Sequence, residues 1–490
     1  MDERIFPAKN GYTLYAGETA LHSRYDPALE AEKYIASLEI SGNCRYFVLI
    51  EPGLAYLAGA LRKQFPRSVI IGLHCSPFYG KLPPGLPFPD VSWNPSMEED
   101  LEDFLETRIP GAEASSVRLI EWRPSINAYG RACVELAERT VECIRRITAN
   151  KVTLRNFGRR WLRNGLRNLG ILRNHVRPRR GTGPVLICAA GPGLEDSLEE
   201  IRLWKQSPLP PLIIAAASSV PALLGGGIEP GLIISTDGGN WALFHLAESC
   251  RAGNSPAAAV LLSAAIPSQM ETWPLLTLCD GSLWQELLLR SCRVPFLVFP
   301  QRGTVSAAAL DLALFLTSGE IYIAGLDLAH RDLKTHARPY AFERIMEAAV
   351  SRYRPFYSRA FERENQIRSG GSHGIYAAWF RTSLKTGPSR IYTLGSSPEQ
   401  TGIPRGTPRI LNVPPADPAA QPGFSSPTGG KPQTGGAGKK EGIAILLEAL
   451  SNPLTEKQLA EELGELIFPG AEESHTCMTG KIKEELLKLF

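Results

Sequence analysis

Residues 301–342, QRGTVSAAALDLALFLTSGEIYIAGLDLAHRDLKTHARPYAF, run from a polar turn through an alanine-rich apolar helix and a glycine hinge into a short hydrophobic strand that ends in an acid. A strand that is apolar at every position has both faces covered, and a helix feeding directly into it points to a parallel sheet sandwiched between helices. Ser306–Leu316 has the apolar spacing and alanine content of a buried helix, and Ile321–Ala324 fits a central strand. In open α/β sheets, ligands bind in the crevice beyond the carboxyl ends of the strands. Asp327, His330, His336 and Tyr340 follow such an end, so a site is expected there.

The same alternation begins earlier in the chain. Pro184–Ala190 reads as a buried strand, and Ala190-Gly191-Pro192-Gly193-Leu194 as a tight turn into a helix. Further strands are expected at Leu212–Ala217, Leu232–Thr236, Val260–Ser263, Phe296–Phe299 and, last, Ile391–Leu394. Residues 1–150 form a first α/β domain with strands in Arg45–Leu61 and at Ser68–Leu73. Only Gly53 stands in its first turn, so the G-x-G-x-x-G fingerprint of a dinucleotide site is absent and a scaffold or partner-binding role is expected.

Residues 151–182 change character, with nine arginines and no acid, and with Trp161, Leu162, Leu166, Leu169 and Leu172 at helical spacing. Such a helix suits either an anionic membrane surface or a connector with a solvated basic face; the connector is the reading adopted. Residues 413–441 are rich in Pro, Gly and Ser and are expected to be a flexible linker. Residues 442–490 form a small helical module, either for docking or as a cap on the main body. The main catalytic domain is then 183–412.

Basic and acidic side chains number 53 and 50, a net +3, which is too little to argue for a nucleic-acid partner. The nine cysteines show no CxxC and no regular spacing, as expected of reduced thiols in a cytosolic protein. The first residues lack the apolar core of a signal peptide and no long apolar run occurs, so a cytoplasmic location without stable membrane insertion is expected.

Two family resemblances rest on these motifs. GLDLAHRDLKTHA resembles the G-x-DLA-x(6)-H signature of the Maf (motility-associated factor) flagellin glycosyltransferases, whose central domain is itself similar to a pterin diphosphokinase (DUF115, MptE-like). Tyr25–Ala31 is similar to the Maf YDP-x-x-EA helix. Trp161, Asn164 and Asn168 are similar to the W-x-x-N-x-x-x-N interdomain helix. The Maf resemblance spans most of residues 1–412. QRGTVS, EIYIAGLD and PYAF also resemble, in order and spacing, short motifs of bacterial CMP-sialic-acid-dependent sialyltransferases. The fold class expected is therefore α/β, with a central Rossmann-like, mostly parallel, sialyltransferase-like sheet, an amino-terminal α/β domain and a small helical tail.

The resemblances assign roles by position. Both families carry a GPSL turn associated with the nucleotide, which corresponds to Gly191–Leu194, with Gly193 standing where the families have Ser. A glycine turn at a helix N-terminus lets backbone approach a phosphate, although such turns are also common in purely structural roles. Ser218 and Asp237 end strands and are donor-binding candidates; local capping explains them equally well. The donor-contacting turn of the sialyltransferases corresponds to Gln301, Arg302, Thr304 and Ser306, with Val305 in place of its Ser. Asp327 is an acid common to both families, read either as a donor contact or as a structural acid that satisfies loop amides. Tyr340 matches the YAF tyrosine and His336 the Maf histidine, and both are expected to serve the leaving phosphate. His373, after a glycine pair, is placed as the base that takes the acceptor's proton.

The activity implied is transfer of a nonulosonic acid, of pseudaminic or legionaminic type, from its CMP-activated form to Ser/Thr hydroxyls of flagellin. No obligatory cofactor and no metal site are expected. A 6-hydroxymethylpterin diphosphokinase using ATP and Mg²⁺ and a non-catalytic flagellin-binding assembly factor are the rival readings.

Overall fold

The computed structural model describes residues 2–489 except 41–43, 77–82, 110–112, 114–115, 252–255, 301, 329–330, 332–333, 359–360, 363–376, 378, 382–389, 396–400, 409–419, 426–437 and 470–474. The chain divides into two compact units, Met1–Leu154 and Arg155–Phe490.

The first unit opens with an antiparallel three-stranded sheet, β1 (Glu3–Ala8), β2 (Gly11–Ala16) and β3 (Thr19–Ala20), followed by helix α1 (Pro27–Ser37). Then come β4 (Tyr46–Ile50), α2 (Tyr56–Gln64), β5 (Val69–Leu73), β6 (Val91–Trp93), α3 (Leu101–Arg108), β7 (Val117–Glu121), α4 (Arg123–Tyr129) and α5 (Arg131–Asn168). The last four strands form a parallel sheet in the order β6-β5-β4-β7. All five residues of β4 are buried, which explains why YFVLI carries no polar alternation. The turn after β4 is filled from within the unit. His22 Nε2 accepts from Leu54 N at 2.8 Å, and a Cβ on Gly53 (φ +56°) would lie 2.5 Å from that nitrogen.

The second unit is built on one eight-stranded, all-parallel sheet. Its elements are β8 (Arg177–Arg179), β9 (Val185–Cys188), α6 (Leu194–Lys205), β10 (Leu212–Ala216), α7 (Val220–Gly225), β11 (Leu232–Ser235), α8 (Asn240–Arg251) and β12 (Ala257–Leu261). They continue with β13 (Leu275–Cys279), α9 (Leu283–Ser291), β14 (Phe296–Val298), α10 (Val305–Leu316), β15 (Ile321–Ala324), α11 (Glu343–Ala348), β16 (Ile391–Thr393) and β17 (Gly423–Ser425). Three helices close the chain: α12 (Lys439–Ala449), α13 (Glu456–Ile467) and α14 (His475–Lys488). The sheet order is β14-β13-β12-β11-β10-β9-β15-β16. Successive strands therefore step outward from β9 on one side, and the chain then returns to place β15 on the other. The order reverses between β9 and β15, where Ile321 pairs with Val185 and Ala324 with Cys188. Helix α10, buried along eight of its twelve residues, packs against β9, β10 and β11.

Four expectations are corrected. The strand expected at Val260–Ser263 lies at Ala257–Leu261, because the alanines before Val260 are small enough to be buried in it. Strand β13 was not expected at all; LLTLC is equally readable as buried helix. The basic segment is no separate connector at its start, since α5 already runs from Arg131, and its apolar residues Leu162, Leu166, Leu169 and Leu172 are buried in protein. Within the expected linker, residues 420–425 are ordered. Ala420 O accepts from Thr182 N (2.8 Å) and Gly183 N (3.1 Å), and β17 pairs antiparallel with β8.

The tail caps the second unit. The Glu462 carboxylate accepts from Leu283 N and Trp284 N, both at 3.1 Å, and so satisfies the free amides at the start of α9. Arg159 Nε donates to Ile467 O at 2.8 Å.

Candidate functional site

The carboxyl end of β9 and that of β15 meet at the sheet's reversal point, the position where open α/β sheets gather ligands. Two strand ends crossing this closely leave no space for side chains, which accounts for the glycines. A Cβ on Gly191 would lie 2.5 Å from Gly325 O, and one on Gly325 (φ +69°) 2.6 Å from Ala189 O. Ala189 N donates to Ala324 O at 2.9 Å and Gly191 N to Gly325 O at 2.8 Å, so the parallel ladder runs into the turn.

Asp327 lies over that turn. Its Oδ2 accepts from Gly193 N at 2.5 Å, and a Cβ on Gly193 would lie 2.5 Å from its Oδ1. Burial pushes the Asp327 carboxyl above its ordinary range, against the opposing pull of the Gly193 amide and the Arg331 guanidinium. The amide at the start of α6, a place suited to a phosphate oxygen, thus holds the chain's own carboxylate in this conformation. Glycine at 193 follows from the same contact: a serine there would collide with Asp327.

The loop after β15 is strapped to the first turn of α6 by charge. Arg331 pairs with Asp196 and donates from Nη2 to Pro192 O at 3.1 Å. Lys334 Nζ meets Glu195 Oε2 at 2.8 Å, and Arg338 N donates to Glu195 Oε1 at 2.9 Å. Ala337 N reaches Ala190 O at 2.8 Å. The cationic partners hold both carboxyls of Glu195 and Asp196 below the ordinary range.

His336 and Tyr340 are brought together in this loop, with ring centroids 5.9 Å apart, and both pack against Phe342, His336 edge-on at 5.4 Å and Tyr340 tilted at 4.6 Å. His336 Nδ1 lies 2.9 Å from Thr335 Oγ1, and the Tyr340 hydroxyl lies 3.5 Å from Met346 Sδ. Phe342 is also touched by two residues that the sequence reading passed over. Trp241, half-exposed on α8, lies 5.1 Å from it, and His245 lies 5.6 Å from it. Burial lowers the His245 imidazole to about 4, so it is neutral in ordinary buffers. The usable signal was the run Trp241, Phe244, His245 directly after a strand-end acid.

The remaining candidates are spread along the same edge. Ser218 is half-buried; its neighbour Ser219 is the one that ties the ends of β9 and β10, donating to Cys188 O and Ala216 O at 2.8 Å. Asp237, exposed after β11, accepts from Gly239 N at 2.7 Å and so closes its own turn. Arg302 is paired with Asp311 at 3.0 Å. Thr304 occupies the N-cap position of α10 without a side-chain capping bond, and Ser306 is buried in its first turn. Gln301, His330 and His373 lie outside the described residues. Among the described residues, no group of three or more His, Cys, Asp or Glu is placed so that it could hold a metal ion.

Trp161, Asn164 and Asn168 support the strand ends from behind. Asn168, fully buried, donates to Leu262 O and Ala264 O at 2.8 Å, and Asn164 donates to Gly238 O and Ser263 O. A Cβ on Gly238 would lie 2.3 Å from Trp161 Cδ1. Among the described residues, no helix is long and apolar enough to cross a membrane.

Comparison with known proteins adds the following. Residues 161–333 match the family model described as 6-hydroxymethylpterin diphosphokinase MptE-like. A protein of uncharacterised function from Treponema pallidum (strain Nichols) is 31% identical over 244 residues, covering 49% of this chain and 52% of that one. The chain therefore spans about half the length of the curated relative it matches. The structure of the Maf glycosyltransferase from Magnetospirillum magneticum AMB-1 superposes with a TM-score of 0.49 at 12% identity, over 99% of this chain and 86% of that one. A likeness that distant bears on neither reaction nor substrate. The Asn164–Asn168 support, the Gly191–Gly193 turn and Asp327 all lie within the matched residues 161–333.

Proposed function

We propose that the second unit is a glycosyltransferase of the Maf type, with residues 183–412 as its catalytic part, and that it moves a nonulosonic acid from a CMP-activated donor to Ser/Thr hydroxyls of flagellin in the cytoplasm. The observation that carries this reading is the meeting of Gly191, Gly193 and Asp327 at the sheet's reversal point, joined to the His336–Tyr340 loop by the Ala337–Ala190 bond. The motif resemblance supplies the identity of the sugar donor.

Departure of CMP from a 2-keto sugar acid builds positive charge on the sugar and negative charge on the phosphate. His336 and Tyr340 would serve that phosphate, and His373 would take the proton from the acceptor hydroxyl. A donor phosphate at Gly193 N must displace the Asp327 carboxylate, which is then free to contact the nucleotide. Gln301, Arg302, Thr304 and Ser306 would line the donor side, with Ser218 and Asp237 at the adjacent strand ends. No metal is required by this chemistry.

The match to the MptE-like model favours a second reading, a pterin diphosphokinase that uses ATP and Mg²⁺. Calorimetric titration with CMP, CTP, ATP and GTP, each with and without Mg²⁺, separates the two. Metal-independent binding of CMP, followed by a nonulosonyl mass gain on flagellin peptides incubated with the CMP-sugar, supports the transferase. Binding confined to ATP with Mg²⁺ favours the kinase, and no binding at all favours a flagellin-binding assembly factor. His373→Ala should slow transfer on the order of 10²–10⁴-fold while leaving donor affinity near normal.

A further inference from the structure

The parallel sheet of the first unit ends in a knot of polar side chains that the proposed transfer does not use. Glu51 follows β4 with φ +43° and is 3% exposed. A non-glycine residue keeps such a backbone only where its surroundings over-determine it. Here Glu51 N donates to Leu73 O at 2.7 Å, and Glu51 O accepts from Ser125 Oγ at 2.7 Å. Its Oε1 lies 3.3 Å from His74 Nδ1, and its Oε2 accepts from Cys75 N at 2.6 Å. Cys75, two residues past the end of β5, is thereby pinned by its own amide, and its Sγ comes to rest 3.0 Å from Cys133 Sγ in the first turn of α5.

We propose that Cys75 and Cys133 are a dithiol that a low-molecular-weight disulfide, such as oxidised glutathione, converts to an intramolecular disulfide. Cys75 is half-buried and Cys133 is 1% exposed, so the small molecule meets Cys75 first. The Cys75 thiol loses its proton to water and its sulfur attacks the small disulfide. A mixed disulfide forms and one small thiol leaves. Cys133, losing its own proton, then attacks Cys75 Sγ; the protein disulfide forms and the second small thiol departs. Two protein thiols are oxidised by two electrons, and one small disulfide is reduced to two thiols.

Proximity and reactivity act on different quantities. The two sulfurs are already in contact in the folded state, so the second displacement is intramolecular and the equilibrium lies toward closure. The rate is restrained, because contact with Cys133, burial and the Glu51 carboxylate all push the Cys75 thiol upward and leave little thiolate. The pair is therefore slow to oxidise and stable once oxidised. Closure joins positions 58 apart, tying the end of β5 to α5.

The full-length protein is equilibrated with glutathione mixtures of increasing oxidised fraction in mildly alkaline buffer, acid-quenched, alkylated and mapped without reduction. The expected result is a peptide pair joined through Cys75 and Cys133, two hydrogens lighter than its parts and lost on treatment with dithiothreitol. Cys133→Ala should leave Cys75 trapped as its glutathione adduct. Should that variant not fold, Cys75→Ser gives the second reading, with Cys133 remaining unmodified. Two alkylated thiols across the whole series, or a wild-type Cys75 adduct that never proceeds to the cross-link, overturns the proposal. A glutathione adduct on Cys133 in Cys75→Ser overturns the order of attack.

Discussion

Asp327 Oδ2 accepts the amide hydrogen of Gly193 at 2.5 Å, across the junction where β15 returns to lie beside β9. One contact thereby sets three properties: it satisfies a helix-start amide, it crowds any side chain at 193, and it places an acid at a helix start whose amides suit an anion. Removing either residue should therefore change how the other behaves.

Gly193→Ser should destabilise the second unit by about 1–3 kcal/mol, the usual range for overpacking a filled site. Asp327→Ala in the same chain should recover much of that loss, because the colliding carboxylate is gone. A double-mutant cycle by urea denaturation measures the coupling. Strict additivity would show that the serine finds room without disturbing Asp327.

Asp327→Ala alone leaves Gly193 N without its acceptor and should cost about 1–3 kcal/mol. Asp327→Asn keeps an acceptor and removes the charge. Since burial raises the folded carboxyl, its contribution is full at low pH and is lost as pH climbs from ~4 through the raised folded value. The stability of the Asp327→Asn variant relative to wild type should therefore grow across that interval and level off above it. Thermal melts at several pH values test the sign; a gap that narrows with rising pH contradicts it.

Asn168→Ala should cost about 2–3 kcal/mol, because it leaves Leu262 O and Ala264 O unpaired in a buried position. Asn164→Ala should cost less, since Asn164 is half-buried and water can replace it. The order of the two chemical-denaturation midpoints decides the matter.

His22 predicts the acid response of the first unit. Burial lowers its imidazole to about 3, while an unfolded histidine titrates near ~6.5. The neutral side chain stabilises the fold above ~6.5, and that contribution drains away as pH falls toward 3. His22→Gln retains an acceptor for Leu54 N and does not titrate in this range. Its exchange protection at Leu54 should therefore decline less steeply with acid than the wild type's.

Sequence alone was enough to place β9, β10, β11, β15 and β16 to within a residue or two, because strands buried on both faces are short unbroken apolar runs. The turn at Gly191–Gly193 and helix α10 were legible for the same local reasons. Strand β13 was not, since four apolar residues and one threonine between a proline and an acid carry no period of their own.

What the sequence could not contain is partnership at a distance. Nothing local states that β15 inserts beside β9, yet that choice creates the junction at Asp327. The glycine at 193 looked in the sequence like the loss of a hydroxyl; in the fold it is the space taken by a carboxylate 134 residues further along the chain. Asn164 and Asn168 showed a spacing, but their acceptors are carbonyls of two other loops. Period and composition decide which residues become strand, helix or turn, because those preferences act over a few residues. Packing of the apolar faces decides which strand ends meet, and with them which acids, amides and rings share a site.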